Sequence, residues 1–340
     1  MKKATAWLCA WIACAAFLPA AAGSHPFSVH DMLAMERIAE PAVSPDGRTV
    51  AFTLRTTDLE ANRGRTDLWC VDVAGGPPRR LTSHAAADFN PCWSADGREI
   101  YFLSTRSGSS QVWRIRRDGG EAEPVSRLPL DAANLVVSPD GRFLAFSLEV
   151  FPGLGAAESR KKLDEIAAAK ASGRIYDRLF IRHWDTWKDG RRSHVFVMPV
   201  AGGEARDLMP AMDADAPSKP FGGSEEFAFT RDGRGLVFAA RDAGREEAWS
   251  TNLDLFYAPL DGSAAPHNLT ADNPALDTQP RFSPDGRTLA YLAMSRPGYE
   301  ADRYRIMLRS WPNGRGRELA PGWDRSPSSL CWSPDGGTLY

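Results

Sequence analysis

The amino-acid sequence predicts an all-β protein, a β-propeller built from four-stranded antiparallel blades, on two observations. A short phrase ending in Asp-Gly recurs six times, each time after Val, Trp or Phe. Most of these phrases are followed by a second pair of apolar segments, joined by a glycine-rich turn such as Ala74-Gly75-Gly76. Four short strands in a repeat of about 45 to 50 residues are typical of a propeller blade.

The recurring phrase has the chemistry of a hairpin turn between two strands. Proline presets the backbone angle of the second turn position, aspartate bonds the local backbone, and glycine adopts the left-handed conformation that other residues resist. We name the strands of a blade a to d from the axis outward, so the phrase joins strands a and b. We therefore expect a structural role for its six aspartates, which are Asp46, Asp96, Asp140, Asp232, Asp285 and Asp335.

Five of the six repeats also contain the predicted strands c and d. The segments assigned to strand c are residues 67–73, 111–116, 194–200, 254–260 and 304–310. After the sixth phrase only Gly337-Thr338-Leu339-Tyr340 remain, and they match the start of a strand b. We thus expect a partial ring of five blades plus the start of a sixth. An open sheet edge is a liability that natural proteins avoid, so we expect a fragment of a longer protein.

The third repeat contains an insertion. The interval from Asp140 to Asp232 is about twice the others, yet it contains only one pair of strands c and d. We assign the additional residues, 151–193, to an insertion between strands b and c. Residues 158–171 are rich in Ala, Lys and Glu, with Leu163 and Ile166 three apart, which predicts a helix there.

The connections between strands b and c indicate which face of the propeller is functional. In an up-and-down meander the b–c and d–a connections share one face, and the two kinds of hairpin turn share the other. The b–c segments vary in length and include residues 56–66, 240–252 and 295–303. Variable loops on a rigid scaffold concentrate binding residues, so we expect binding at the b–c face.

The first residues predict a cleaved secretory signal. Lys2 and Lys3 precede an apolar stretch at residues 4–18, which is too short to span a bilayer, and then small residues up to Gly23. We assign residues 1–22 to the signal, 23–40 to a lead-in segment with one short helix, and 41–340 to the incomplete propeller. The protein is expected to be exported, to the periplasm or the medium, with no membrane attachment after cleavage.

Composition excludes several other functions. The chain is 43% apolar and 25% charged with a formal net charge of -2, and it has no basic cluster for nucleic acid. Cys70, Cys92 and Cys331 remain after signal cleavage, which leaves both one disulfide and three free thiols open. The histidines are scattered, without an H-E-x-x-H or paired CxxC motif, so we predict no metal site and no cofactor.

Three segments give the chain a family resemblance, together with the opening His25-Pro26-Phe27-Ser28. They are residues 182–187 followed by 190–194, residues 248–252 and residues 296–303. With these segments the chain resembles the amino-terminal propeller half of an exported prolyl oligopeptidase family serine peptidase, most closely the bacterial dipeptidyl aminopeptidase and acylaminoacyl-peptidase branch. The resemblance implies peptide substrates, seven or eight blades and a carboxy-terminal α/β-hydrolase domain with a Ser, Asp and His triad. The chain contains no G-x-S-x-G motif, so we expect no catalytic residue within it.

Candidate binding residues follow from the resemblance and from the b–c face. An aminopeptidase needs a carboxylate that holds the substrate's free amine, and Glu300 is the first candidate, with Asp302 and Arg303 beside it. Inter-blade salt bridges are the alternative for these three charges. The other candidates are four residues that either line a pocket or serve packing and turn formation: His183, Trp184, Trp187 and Asn252.

Glu225 and Glu226 are two adjacent carboxylates. They are similar to the paired glutamates that anchor the amine in dipeptidyl peptidase IV, but we expect them to enter a strand a instead of a loop helix.

A second class of function stays open, a non-enzymatic periplasmic interaction propeller like TolB. The hairpin phrase and the export signal occur in both classes. TolB-like chains place an α/β domain before the propeller, whereas about 20 residues separate the signal from the first blade here, and the insertion also favours the peptidase. The sequence leaves open whether the protein forms a homo-oligomer.

Overall fold

The computed structural model describes residues 25–340, and the predicted signal peptide lies outside the described residues. The described chain divides into an N-terminal unit that ends at Met35 and a β-sheet unit, Glu36–Tyr340. In the first unit helix α1 (Val29–Ala34) begins with a capping box. Ser28 Oγ accepts a hydrogen bond from the Asp31 amide at 3.4 Å, and the Asp31 carboxylate accepts one from the Ser28 amide at 2.7 Å.

The β-sheet unit contains five four-stranded antiparallel sheets, and each sheet is a meander, as predicted. Blade 1 is β1 (Arg37–Val43), β2 (Thr49–Asp58), β3 (Arg63–Asp72) and β4 (Arg79–Arg80). Blade 2 is β5 (Asp88–Trp93), β6 (Glu99–Ser104), β7 (Gln111–Arg116) and β8 (Glu123–Pro124). Blade 3 is β9 (Ala133–Val137), β10 (Phe143–Val150), β13 (Arg192–Pro199) and β14 (Arg206–Asp207). Blade 4 is β15 (Phe227–Phe229), β16 (Gly235–Ala240), β17 (Asp254–Pro259) and β18 (His267–Asn268). Blade 5 is β19 (Asp277–Phe282), β20 (Thr288–Ala293), β21 (Arg305–Ser310) and β22 (Gly316–Leu319).

Apolar residues of strand b pack each blade against the next. The residue five positions after each hairpin aspartate is at most 3% exposed in all five blades: Ala51, Tyr101, Ala145, Val237 and Ala290. Each belongs to an apolar cluster shared with the next repeat. Burial of these facing surfaces is the main contribution that holds the sheets together.

The hairpin phrase forms the same set of hydrogen bonds in all six repeats. In blade 5, Asp285 accepts one from Ser283 Oγ at 2.6 Å and one from the Arg287 amide at 3.0 Å. The Ser283 hydroxyl in turn accepts the Thr288 amide at 3.0 Å. The bonds from Ser283 and Arg287 lower the pKa of Asp285 because they stabilise its charged form. These local contacts account for the recurrence of the phrase.

Neighbouring hairpin turns also contact each other, which gives the turn glycines unequal surroundings. Gly47 and Gly286 share a left-handed backbone, with φ of 69° and 70°. A Cβ added to Gly47 would contact nothing within 4 Å, whereas one added to Gly286 would lie 2.9 Å from Arg231 Cβ of blade 4. The first glycine is thus required for backbone conformation alone, and the second also for packing between blades.

We therefore expect Gly286→Ala to destabilise the protein more than Gly47→Ala. The Gly47 change should cost about 1 kcal/mol, the strain of a left-handed alanine. The Gly286 change should cost about 1 kcal/mol more, because Arg231 has to move. Urea unfolding of the two variants measures the difference, and equal losses would show that the turns of blades 4 and 5 do not pack as described.

The insertion in blade 3 contains helix α2 (Ala156–Ala168), which confirms the predicted helix although it begins and ends earlier than residues 158–171. A two-stranded hairpin that the sequence did not predict follows it, β11 (Arg182–His183) and β12 (Thr186–Trp187). Strand c of this blade then begins at Arg192.

The prediction of a b–c loop at residues 56–66 was wrong. Strands β2 and β3 pair through this segment as far as Asp58 and Arg63, and only four residues form the turn. Asn62 takes a left-handed conformation there with φ of 49°, and Arg65 forms an ion pair with Asp58 at 2.8 Å. Cross-strand pairing thus extends the hairpin where local sequence predicted a loop.

The structure also tests the expectations for the sixth repeat and for the cysteines. The sixth repeat forms a single antiparallel bridge, Trp332 with Leu339, flanked by two backbone hydrogen bonds between Cys331 and Tyr340. Cys70, Cys92 and Cys331 are all free, so none of the three is in a disulfide. Among the described residues, no helix is long and apolar enough to cross a membrane.

Candidate functional site

A cluster of ion pairs lies where the insertion, blade 3 and blade 4 meet on the b–c face. Its centre is Arg192, the first residue of β13, which is 5% exposed. Its guanidinium donates to Asp213 at 2.8 Å, to Asp215 at 2.9 Å, and to both carboxylate oxygens of Glu247 at 2.7 and 2.8 Å. Lys188 of the insertion lies 3.5 Å from Asp215 and 3.5 Å from Glu247. We call these five residues the Arg192 cluster.

The Arg192 cluster joins three separate segments of the chain, the first of which contains both Lys188 and Arg192. Asp213 and Asp215 belong to the d–a connection between blades 3 and 4, and Glu247 lies in a 3₁₀-helix of blade 4, Gly244–Ala248. Two peripheral ion pairs extend it, Arg178 to Asp213 at 2.6 Å and Lys219 to Glu149 at 2.7 Å. The insertion is therefore anchored to both blades by charge.

The protonation equilibria of the cluster follow from this arrangement. Burial by itself would lower the pKa of Arg192, but the neighbouring carboxylates of Glu247, Asp215 and Asp213 raise it. Burial likewise opposes ionisation of Asp215, yet the charges of Lys219, Lys188 and Arg192 hold its pKa below the usual value. The cluster contains equal numbers of acidic and basic side chains when the peripheral pairs are included.

Exposed aromatic side chains surround the cluster on the same face. Trp184 in the turn between β11 and β12 is 67% exposed, and its ring centroid lies 5.4 Å from that of Phe221 in the d–a connection and 4.7 Å from that of His183. Trp187 contacts Tyr176 of the insertion at 6.2 Å between centroids. A cavity of about 750 Å³ lies between α2 and the Arg192 cluster. Large apolar surface exposed around a cavity is typical of a binding site.

The b–c loops of blades 4 and 5 are joined on this face. The Gly298 amide donates to Thr251 Oγ1 at 2.9 Å. Trp249 beside Thr251 is 68% exposed, and Tyr299 beside Gly298 is 54% exposed with the Arg296 guanidinium 4.0 Å from its ring centroid. These loops add further aromatic surface to the b–c face.

The three charged candidates of the blade 5 loop have different surroundings. Asp302 accepts hydrogen bonds from the amides of Ser295 at 2.8 Å and Arg296 at 2.9 Å, so it closes its own loop. Burial is the largest single influence and raises the pKa of Asp302, but the hydrogen bonds from Ser295, Arg296 and Arg303 together lower it. Arg303 donates to the Trp323 carbonyl at 2.8 Å and forms an ion pair with Glu318 at 3.1 Å, so its charge is already paired.

Glu300 differs from both of these neighbours. It is exposed and, within residues 25–340, has no hydrogen bond or ion pair. The inter-blade salt bridge considered as an alternative for it is therefore not formed among the described residues. Its carboxylate is available to a cationic ligand.

Asn252 contacts the half-buried Asp254, whose charge acts on the buried Asp277 of blade 5. Its side-chain amide donates to Asp254 at 3.2 Å, while its own oxygen is buried and has no hydrogen-bond partner. Asp277 of β19 is 1% exposed and accepts a hydrogen bond from Asn273 at 3.0 Å. Burial, assisted by the charge of Asp254, raises the pKa of Asp277 to about 8. Neither aspartate has a salt bridge to a described residue.

Glu225 and Glu226 do not enter a strand, contrary to expectation. They lie in a 3₁₀-helix, Ser224–Glu226, directly before strand β15. Glu226 is 5% exposed and accepts hydrogen bonds from the Ser218 amide at 2.7 Å and hydroxyl at 2.8 Å. Its carboxylate is therefore satisfied within the protein, and burial raises its pKa. Glu225 remains partly exposed.

The sequence interpretation missed the Arg192 cluster entirely. Arg192 entered only as part of the insertion and of the segment 190–194 that carries the family resemblance, and Glu247 only as part of the b–c segment 240–252. The one signal that could have found it is the sequence Asp213-Ala214-Asp215 in a long connection, since two acidic residues flanking an alanine need a buried cation if that alanine is in the core. Ala214 is 1% exposed.

Comparisons with known proteins agree with this architecture. A protein-family model described as the TolB beta propeller domain matches residues 33–150. Dipeptidyl-peptidase 5 of Porphyromonas gingivalis is 30% identical over 312 residues, which are 91% of this chain and 45% of that protein. Dipeptidyl-peptidase 5 of Porphyromonas endodontalis is 32% identical over 82% of this chain and 40% of its own length. The solved structure of Pyrococcus horikoshii acylaminoacyl peptidase superposes with a TM-score of 0.62 at 13% identity, over 88% of this chain and 42% of that one.

Fold and site together define a β-propeller of four-stranded blades whose b–c face carries a helical insertion and exposed aromatic residues. The comparisons with known proteins identify the relatives of this chain. The chain is related to the dipeptidyl-peptidase 5 proteins, and the resemblance to the propeller half of a prolyl oligopeptidase family peptidase is confirmed. It spans less than half the length of the curated relatives that it matches.

Proposed function

We propose that this chain is the substrate-gating propeller of an exported serine peptidase that releases dipeptides or acylated residues from the amino termini of peptides. The relatives named dipeptidyl-peptidase 5 support the class of activity. In this proposal the catalytic serine, with its histidine base and aspartate, belongs to a hydrolase domain outside this chain. The propeller restricts access and binds the substrate. The proposed export rests on the predicted signal at residues 1–22.

The observation that carries the binding role is the unpaired carboxylate of Glu300 on the aromatic b–c face. Asp302 and Arg303 have partners within the protein, whereas Glu300 has none among the described residues. A peptide's free amino terminus is a cation that forms a charge-assisted hydrogen bond with a carboxylate. Trp184, Trp187 and Trp249 offer apolar surface for the side chains of the same peptide.

We expect Glu300→Gln to weaken binding of a short peptide with a free amine roughly tenfold, because the amide keeps the shape and removes the charge. Binding of the same peptide with an acetylated amine should not change. Isothermal titration of both peptides with the chain measures this contrast. Glu121→Gln is the matched control, since Glu121 is also exposed but lies in a c–d turn on the opposite face. Equal affinity of the Glu300→Gln variant and the unchanged protein for the free-amine peptide would remove Glu300 from the site.

The alternative is a non-enzymatic interaction propeller of the TolB class. The family model that matches residues 33–150 favours it, because that model carries the TolB description. Hydrolysis of dipeptidyl chromogenic substrates by the full gene product separates the two classes. Hydrolysis supports the peptidase, whereas its absence together with specific capture of envelope proteins supports the interaction protein.

A further inference from the structure

One position of the repeat is polar in every blade, six residues before the hairpin aspartate. Its occupants are Glu40, Asn90, Asn134, Glu226 and Gln279. Four of them take a left-handed backbone with φ between 52° and 56°, and there the pairing of strand a with strand b shifts register. A bulge of this kind redirects a side chain away from the regular pleat.

At blades 1 and 2 the redirected side chain reaches the strand a of the next blade. The Glu40 carboxylate accepts the Asn90 amide of blade 2 at 2.7 Å. The Asn90 side chain donates to the Leu135 carbonyl of blade 3 at 3.0 Å and accepts its amide at 2.8 Å. These inter-blade hydrogen bonds link the innermost strands around the axis.

The later blades continue the pattern. Glu226 accepts a hydrogen bond from Thr278 Oγ1 of blade 5 at 3.2 Å, and Gln279 donates to the Ser328 carbonyl of the sixth repeat at 3.2 Å. Asn134 of blade 3 is the exception, since its amide donates to Ser147 Oγ of its own blade at 2.8 Å. Within residues 25–340 no hydrogen bond joins strand β9 of blade 3 to strand β15 of blade 4.

An axial cavity lies where this bond is missing. It has a volume of about 400 Å³ and is lined by strands a of blades 3, 4 and 5, among them Val137 of β9, Phe229 of β15 and Phe282 of β19, and by the partly exposed Glu225. A groove of about 880 Å³ also lies between blades 3 and 4 on the hairpin face, although a similar groove of about 690 Å³ borders blade 2. The missing bond thus distinguishes this junction, because the axial cavity also borders blade 5.

Two kinds of contact hold blades 3 and 4 together instead. Apolar side chains pack across the junction, with Ala145 of β10 in the same cluster as Phe229 and Leu236 of blade 4. On the b–c face the polar link is ionic, formed by Glu247 of blade 4 with Arg192 and Lys188. Opening of the junction would separate these buried charges into solvent, where salt stabilises them, so added salt favours opening, whereas neutral hydrogen bonds do not depend on salt in this way.

We infer that the junction between blades 3 and 4 is the seam at which this propeller opens, with the ion pairs of Glu247 as its latch. Opening there separates strands β9 and β15 beside the axial cavity. At every other junction the residue at this repeat position forms a hydrogen bond with the next repeat. The inference concerns the ring itself and does not depend on the proposed peptidase activity.

Cysteine accessibility tests the seam with a matched pair of sites. Ala145 and Ala51 occupy the same repeat position, both are 0% exposed, and they face the junctions 3–4 and 1–2 respectively. N-ethylmaleimide should label Ala145→Cys roughly tenfold faster than Ala51→Cys under native conditions, because labelling requires local opening. Peptide mass spectrometry resolves each site, and the buried native Cys70 at junction 1–2 serves as an internal control.

The same labelling assay tests the ion pairs of Glu247. Glu247→Gln keeps the shape of the side chain and leaves Arg192 paired with Asp213 and Asp215. Labelling of Ala145→Cys should accelerate several-fold in this variant, and also between 50 mM and 1 M salt, about the range over which ion pairs are screened. Ala51→Cys should respond to neither change.

A second cysteine site controls for a packing defect that the larger side chain could cause at position 145, because serine and cysteine are nearly equal in size. Ser147→Cys lies two residues further along β10, at a position that is 3% exposed. The seam would be overturned if Ala145→Cys and Ser147→Cys were labelled at rates within about twofold of that of Ala51→Cys. It would also be overturned if their labelling rates changed neither with salt nor with Glu247→Gln.

Discussion

Replacing Arg192 with methionine should lower the free energy of unfolding by about 3–5 kcal/mol, because a buried ion pair that loses one partner leaves uncompensated charge. Here the variant would leave three carboxylates, those of Asp213, Asp215 and Glu247, without the guanidinium that now bonds all of them. Lys188 and Lys219 remain nearby and would repay part of this loss. Urea unfolding followed by tryptophan fluorescence measures it.

Arg116→Met is the matched control for this prediction. Arg116 forms an equally short ion pair with Asp118 at 2.9 Å, but both side chains are about 70% exposed, at 72% and 69%. An exposed pair contributes at most about 1 kcal/mol. Arg192→Lys should recover only part of the stability, because one ammonium cannot reproduce the planar fork that bonds three carboxylates. Similar losses in Arg192→Met and Arg116→Met would contradict a central role for the Arg192 cluster.

Asp277→Asn should make the protein more stable at alkaline pH and flatten its stability between pH 4 and pH 8. Burial raises the pKa of Asp277 to about 8, far above that of an unfolded chain. The folded state therefore holds this proton more tightly than the unfolded state. The resulting stabilisation is complete below about pH 4 and is lost as the pH rises through about 8. At about 1.4 kcal/mol per unit of pKa difference, the loss is at most about 6 kcal/mol.

Asparagine at position 277 is neutral at every pH, so the variant should avoid this loss. Thermal unfolding at several pH values should give nearly equal stability for variant and unchanged protein at pH 4–5, and a more stable variant at pH 8–9. Asp302→Asn is the control of opposite sign, because hydrogen bonds lower the pKa of Asp302 and its charge stabilises the loop at neutral pH. A less stable Asp277→Asn variant at pH 9 would show that the charged carboxylate is favourable in its site.

Much of the fold follows from local sequence because the recurring turn contains its own hydrogen-bond partners. In each phrase the serine or threonine and the aspartate bond the same few backbone amides, whatever the surrounding blade. Four-stranded blades, the insertion and its helix could therefore be predicted. The error at residues 56–66 arose because the paired length of β2 and β3 depends on contacts across the hairpin, such as Arg65 with Asp58.

The candidate site was predictable only as a face of the propeller. Glu300, Asp302 and Arg303 are alike in sequence as loop charges, yet Asp302 bonds its own loop and Arg303 pairs with Glu318 of the neighbouring strand. Which charge stays free depends on loop conformation, which the hydrophobic pattern does not record. Glu226 likewise became a buried acceptor because Ser218 and Thr278 approach it from other parts of the chain.

By itself the sequence determined the blade, its turn and the place of the insertion, since each depends on residues within one repeat. Only the tertiary structure decided how the repeats are joined. The same polar position bonds the next blade from Asn90 and stays within its own blade from Asn134. Arg192 gathers carboxylates from separate connections. Such contacts join residues that are far apart in the sequence, so they form only once the blades have packed.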